Sequence, residues 1–329
     1  MIGMFTSPTP LFASVAGGGS GFSSGSRCTL EEAITIARED AVIELAAGAY
    51  AGPAAIITKR VRIVPASGAS PTLASGRMWQ SRTSGASFTI SGYTATAATG
   101  TNETYISIVP VDYVRGSKPA VVALHGASGT EEQMLGSWPA SIRNIVTAIV
   151  VDGGYPVICP HAAGDSWGNL TAMARISEAV AVARSTLGAS SAPVALLGFS
   201  MGGANALNWA KRNLSDTACV VGAVPASDIS DIHTNNRGSL AGQINAAHST
   251  WTEASRGADF NPATFAAADL AGLAYQAWGA TSDTVCLPAT VEAVADAIGG
   301  TCTEVAGDHT TAMANITPST VVTFIEEHT

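Results

Sequence analysis

The stretch Gly198-Phe199-Ser200-Met201-Gly202-Gly203 constrains this chain more than any other, because an apolar run leads straight into it and a helical pattern leads straight out. Pro193-Val194-Ala195-Leu196-Leu197 is short, continuous and apolar, as a central strand buried on both faces should be. From Gly202 to Leu214 the apolar residues Ala204, Leu207, Ala210 and Leu214 recur at helical spacing, while Lys211 and Arg212 face elsewhere. Small residues at 198, 202 and 203 let strand and helix approach closely around a sharp turn. Such a turn lifts the Ser200 hydroxyl to the carboxyl end of the strand, beside the backbone N–H groups of the helix N-terminus. A serine there is placed to act as a nucleophile; the alternative is an ordinary glycine-rich strand-to-helix turn.

The pentapeptide pattern alone is weak, since the chain has 34 glycines and spells G-x-S-x-G three times. Gly21-Phe22-Ser23-Ser24-Gly25 lies in a Gly/Ser-rich opening with no apolar run before it and reads as flexible loop. Gly164-Asp165-Ser166-Trp167-Gly168 follows the apolar run Tyr155 to Cys159, but Pro160 and several loop residues intervene. Only Ser200 has both the strand and the helix.

A serine hydroxyl needs an imidazole to take its proton, and the imidazole needs a carboxylate to fix its tautomer. Downstream, Leu273 to Gly279 reads as a strand, and Ala280-Thr281-Ser282-Asp283 places an acid just past its end. A helix follows, with Pro288 near its start, Val291, Val294 and Ile298 on one face, and Gly299 at its stop. The short strand Thr301 to Val305 then leads to Ala306-Gly307-Asp308-His309, ahead of a helix announced by Thr317-Pro318. Asp283 is thus the candidate acid and His309 the candidate base. Asp308 is the alternative acid, but neighbouring side chains in an extended loop rarely point at one another. Upstream, the buried-strand candidate Pro119 to Leu124 runs into His125-Gly126-Ala127-Ser128-Gly129. The N–H groups of Met201 and Ala127 are the expected oxyanion donors, with Ser128 as the fallback for the second; His125 reads as a structural residue of this loop.

With these residues in place, positions from about 105 to 329 resemble the α/β-hydrolase serine esterases. The resemblance rests on His125-Gly126, the turn from Gly198 to Gly203, Asp283 and His309. It implies a doubly wound, mostly parallel sheet, the order Ser, Asp, His along the chain, an acyl-enzyme, and no metal or cofactor. The pattern departs from lipases that carry a run of glycines after the first His-Gly, because Ala127-Ser128 stand there. It departs also from cutinase-like enzymes, whose nucleophile is flanked by Tyr and Gln where this chain has Phe199 and Met201. Neither subfamily's substrate transfers.

Apolar residues make up 47% of the 329 and charged residues 12%, with a formal net charge of −9. An acidic surface of this kind is ill suited to nucleic-acid phosphates and better suited to a neutral or apolar ester, a lipid or an acylated glycan among the candidates. No run approaches the roughly 18 apolar residues of a membrane span, and Met1 to Ala16, with Pro8 and Pro10 and no Lys or Arg before Arg27, is a poor signal peptide. The five cysteines, Cys28, Cys159, Cys219, Cys286 and Cys302, show no metal-ligand spacing. Buried thiols are the default reading, with a Cys286–Cys302 bridge as the alternative.

Three parts are expected: a flexible segment 1–27, a small β-rich module 28–85, and the hydrolase domain 86–329, in which 227–270 is either a lid, lined by Trp251 and Phe260 if it overhangs Ser200, or a pair of surface helices. In the second part, Thr29 to Glu32 forms a capping box for a short helix, Ala41 to Leu45 a strand, Gly48-Ala49-Tyr50 a turn, and Ala55 to Ile57 and Val61 to Val64 two further strands. About residues 28–75 resemble the opening coil of a right-handed parallel β-helix, as in phage minor tail proteins. That resemblance implies assembly into an oligomer or a virion tail through residues 1–100, because one coil cannot bury its own faces. Phe88 to Ser91 and Tyr105 to Val109 are expected as outer strands of the hydrolase sheet, with a bend over 91–101 between them. Leu170 to Leu187 is expected as a core helix stopped at Gly188.

Overall fold

The computed structural model describes residues 11–13, 33, 41–51, 61–65, 71–74, 87–90, 93–99, 101–135, 140–265 and 267–329. The chain divides into two units, Met1–Ala98 and Thr99–Thr329. The division falls later than residue 85, so Ser87–Ile90 belongs to the first unit.

The first unit contains β1 (Leu11–Ala13), β2 (Ala41–Leu45), β3 (Gly48–Ala51), β4 (Val61–Pro65), β5 (Pro71–Ala74), β6 (Ser87–Ile90) and β7 (Tyr93–Thr99), the last of which ends at the boundary. Strands β1, β2, β4 and β6 form one parallel ladder, in which Ile43 stands opposite Ile63, while β7 returns antiparallel to β6. A second parallel pair joins β3 to β5.

Three expectations are corrected here. Leu11–Ala13, inside the segment read as flexible, is a paired strand. Gly48-Ala49-Tyr50 is strand rather than turn. Residues 93–99 are strand rather than bend, because Thr94 and Thr96 alternate with Tyr93, Ala95 and Ala97 in a period of two. That alternation is hard to recognise in a run built mostly of alanine and threonine. The expected helix after Cys28, apart from Ala33, the strand at 55–57 and the loop of Ser23 lie outside the described residues.

The second unit contains β8 (Thr104–Pro110), β9 (Val121–Leu124), α1 (Ala140–Val151), β10 (Val157–Pro160), α2 (Leu170–Val182), β11 (Val194–Phe199), α3 (Met201–Arg212), β12 (Thr217–Ala223), α4 (Ile229–Thr234), α5 (Ala241–His248), β13 (Ala274–Ala280), α6 (Pro288–Ala297), β14 (Thr301–Val305) and α7 (Pro318–His328). Its strands run β8-β10-β9-β11-β12-β13-β14, all parallel except β8, which is antiparallel to β10. This is the α/β-hydrolase fold. Strands β9, β10 and β11 are buried at every position, which is why they read as unbroken apolar runs. One core cluster joins Val122, Leu124, Leu196 and Val220 of the sheet to Ile176 of α2, Leu207 of α3 and Val291 of α6. In another layer, α1 packs against α7.

Helix α2 carries Met173, Ile176 and Val180 inward, as its spacing predicts. Its last turn widens into a π turn over Ala183–Leu187 before Gly188 stops it at φ 73°. No helix among the described residues is long and apolar enough to cross a membrane.

The topology brings the site together. The chain leaves β9 for β10 on one side, then crosses back over β9 to β11. The loops after β9 and β11 therefore open side by side at a topological switch point, where ligands of such sheets bind.

Candidate active site

Ser200 stands between β11 and α3 with φ 52° and ψ −119°, a conformation that a non-glycine residue adopts only when its surroundings enforce it. The enforcement is backbone to backbone. Ser200 N–H donates to Ala223 O, and Ser200 O accepts from Gly203 N–H and Ala226 N–H. Three glycines give the room. A Cβ at Gly198 would stand 2.4 Å from Gly202 O, one at Gly202 would stand 2.2 Å from Leu124 O, and one at Gly203 would stand 2.3 Å from Pro225 Cβ.

These clearances predict opposite outcomes for two substitutions in helices. Gly202→Ala forces α3 away from the end of β9, and we expect a net loss of about 2–3 kcal/mol, a fall in Tm of roughly 4–12 °C for a unit of this size. Gly242→Ala, in α5 with nothing within 4 Å of the new Cβ, should instead stabilise by about 0.5–1 kcal/mol. Thermal unfolding of the two variants checks both signs.

The loops that carry Asp283 and His309 arrive from β13 and β14. Asp283 is buried, and its Oδ1 accepts from the N–H groups of Val285 (2.7 Å) and Cys286 (2.9 Å), which leaves Oδ2 for His309. His309 Nδ1 lies 2.6 Å from Asp283 Oδ2, and its Nε2 lies 2.8 Å from Ser200 Oγ. The structure therefore brings Ser200, Asp283 and His309 into one chain of hydrogen bonds. Asp308, the alternative acid, points elsewhere: its Oδ1 accepts from the N–H and hydroxyl groups of both Thr310 and Thr311. These bonds, that from the Thr311 N–H foremost, hold its carboxyl well below the usual range. Asp308 closes the loop that carries His309.

The loop after β9 is fixed at almost every polar group. Both ring nitrogens of buried His125 face carbonyl oxygens, Gly126 O at 2.8 Å and His161 O at 2.7 Å. Gly126 N–H donates to Gln133 Oε1 (2.7 Å), Ser128 N–H to Asp165 Oδ1 (2.5 Å), and Gly129 N–H to Gly126 O (3.1 Å). Ala127 N–H is the one of this run with no acceptor among the described residues. Met201 begins α3, so its N–H likewise has no acceptor within the helix. Ser128 N–H, the fallback donor, is already engaged. Gln133 and Asp165 carried no signal in the sequence, although Asp165 belongs to the second G-x-S-x-G, whose Ser166 is buried beside Asn205.

The segment 227–270 packs next to this site. Trp251 and Phe260 are buried in one cluster with Met201, Trp167, Ile229 and Cys286, and the ring of His248 lies 4.8 Å from that of Trp251 and 4.9 Å from that of Phe260. Gln243 of α5 donates from Nε2 to Ser128 Oγ (2.9 Å). Cys286 and Cys302 are both free thiols, so the alternative of a bridge between them is not realised.

Burial disfavours the imidazolium of His309, yet its pKa is displaced upward, to about 10, because a Cys286 thiolate and the hydrogen bond to Asp283 both favour the cation. Burial also pushes the Cys286 thiol up, which keeps it neutral in neutral solution. Under those conditions Asp283 is the partner that raises His309.

No family model and no curated protein sequence matches the chain. Solved structures do. An S-formylglutathione hydrolase from Agrobacterium tumefaciens superposes with a TM-score of 0.58 at 14% identity, covering 74% of this chain and 99% of its own. Carboxyl esterase 2 from the mycorrhizal fungus Tuber melanosporum gives 0.55 at 17%, covering 73% and 89%. Est1E from Butyrivibrio proteoclasticus gives 0.54 at 14%, covering 72% and 99%. At these identities the likeness is one of fold.

Proposed function

We propose that the second unit is a serine hydrolase that cleaves carboxylic esters through an acyl-enzyme. The observation that carries this reading is the pair of contacts made by His309, 2.8 Å to Ser200 Oγ and 2.6 Å to Asp283 Oδ2. His309 Nε2 takes the hydroxyl proton as Ser200 Oγ attacks the ester carbonyl, and Asp283 stabilises the resulting imidazolium. The N–H groups of Met201 and Ala127 receive the oxyanion. His309 then protonates the departing alcohol, activates water, and the second attack frees the acid. The carboxyl esterase of the same fold supports an ester as the substrate. The S-formylglutathione hydrolase, whose substrate name denotes an S-acyl compound, supports thioester cleavage as the second reading of the same machinery.

A p-nitrophenyl ester series from acetate to palmitate, on wild type and on Ser200→Ala, tests the assignment. Turnover in wild type that disappears in the variant supports it, and equal rates in both refute it. The series also reads the acyl length that the apolar surroundings of Met201 accept.

The base works only when neutral. Since the folded-state pKa of His309 is raised, kcat/KM should climb with pH along a limb lying above the ordinary ~6.5 of histidine. A limb at or below the ordinary histidine value would remove Asp283 as its partner.

The first unit supports a further role as the attachment module of an assembly such as a phage tail, the hydrolase cutting esters of a host envelope. The supporting observation is the parallel ladder β1-β2-β4-β6, which has the stacking of a solenoid. Sedimentation of the full chain separates the cases: a trimer or larger supports assembly, a monomer opposes it.

A further inference from the structure

One group in the site has no part in the proposed ester chemistry. Cys286 is 2% exposed, and its N–H is tied to Asp283 Oδ1 at 2.9 Å. Donor atoms of Asp283, Cys286 and His309, one from each, all lie within 4.8 Å of one another. A carboxylate oxygen, a sulfur and an imidazole nitrogen form a mixed donor set suited to zinc and similar soft or borderline ions, whereas magnesium and calcium prefer oxygen alone. Three protein donors with one position left over also match the open type of zinc site.

We propose that Asp283, Cys286 and His309 form a site for a zinc-like divalent cation, and that occupying it switches hydrolysis off. The inhibitory half of the proposal rests on the serine hydrolase reading; the binding half does not. In a tetrahedral zinc site the donors stand about 3.3–3.8 Å apart, with bonds of about 2.0–2.3 Å. Side-chain rotations of about an ångström would gather these three. On binding, the Cys286 thiol releases its proton to solvent and ligates as thiolate, and His309 ligates as neutral imidazole, its second ring proton, where present, also passing to solvent. Either nitrogen of His309 disables the base. Coordination through Nε2 occupies the lone pair that Ser200 needs, and coordination through Nδ1 leaves the ring proton on Nε2, where it faces the hydroxyl without being able to accept from it. Asp283 is drawn to the metal in both cases.

The test uses the full chain and two measurements. Titration with Co2+ should give one bound ion per chain with a sulfur-to-cobalt charge-transfer absorption, present in wild type and Cys302→Ser and lost in Cys286→Ala and Cys286→Ser. Zn2+ should inhibit wild-type ester turnover, Mg2+ and Ca2+ should not, and the inhibiting Zn2+ concentration should rise in Cys286→Ala by more than the about 10- to 100-fold that loss of a mere supporting group costs a metal site. The proposal is overturned by a cobalt spectrum lacking the sulfur band, or by Zn2+ inhibition equal in wild type and Cys286→Ala. Cobalt binding does not require turnover. A chain that shows the band but cleaves no ester keeps the binding site and loses the hydrolase reading, while an active chain without the band does the reverse.

Discussion

Ser200→Ala should lower kcat for an activated ester by about 10⁶-fold, the scale on which a nucleophile acting as part of one catalytic unit is lost. The fold should survive the change. The turn at residue 200 is held by backbone hydrogen bonds to Ala223, Gly203 and Ala226, none of which involves the hydroxyl, and alanine at φ 52° bears the same strain as serine. The variant forfeits the bond to His309 Nε2, worth about 1 kcal/mol, so its circular dichroism should be unchanged and its Tm nearly so. Residual turnover over water would come from the oxyanion donors alone. A loss smaller than tenfold with the melt unaltered would mean that another group attacks.

Asp283→Asn should cost about 10⁴-fold in kcat for a different reason. Asparagine keeps an oxygen for the N–H groups of Val285 and Cys286, so the loop stays as it is. It presents an amide N–H to His309 Nδ1, however, and the ring must then carry its proton on Nε2, toward Ser200. A ring proton in that position cannot receive another. Without the carboxylate the imidazolium also loses its stabilising charge, and the alkaline displacement of His309 should shrink. Kinetics across pH on this variant would show both changes; an unaltered profile would place the orienting acid elsewhere.

The elements that carry Ser200, Asp283 and His309 are legible because their signals are local. Strand β11 is buried on both sides and reads as an apolar run, α3 has its periodicity, and β14 spans the residues expected, Thr301–Val305. Asp283 and His309 follow from their positions just beyond two strands. What escaped the sequence is long-range. Gln133, Asp165 and Gln243 meet the loop after β9 from elsewhere in the chain, and nothing near them in sequence marks the encounter. The first unit is less legible, since strands such as Gly48–Ala51 and Tyr93–Thr99 are built largely from alanine, threonine and glycine. Their ordering comes from neighbours in the ladder rather than from a strong hydrophobic alternation of their own.

The clasp of Asp308 around Thr310 and Thr311 separates two things that acid does to a protein of this kind. Because that carboxyl is held so far down, its bonds persist while the pH falls past the range where ordinary carboxylates protonate, and are lost only as the pH reaches the depressed folded value. The imidazole one residue away gives up its lone pair much earlier. Lowering the pH through the titration of His309 therefore protonates the imidazole while its loop stays threaded, and on return above that raised value a proton has only to depart.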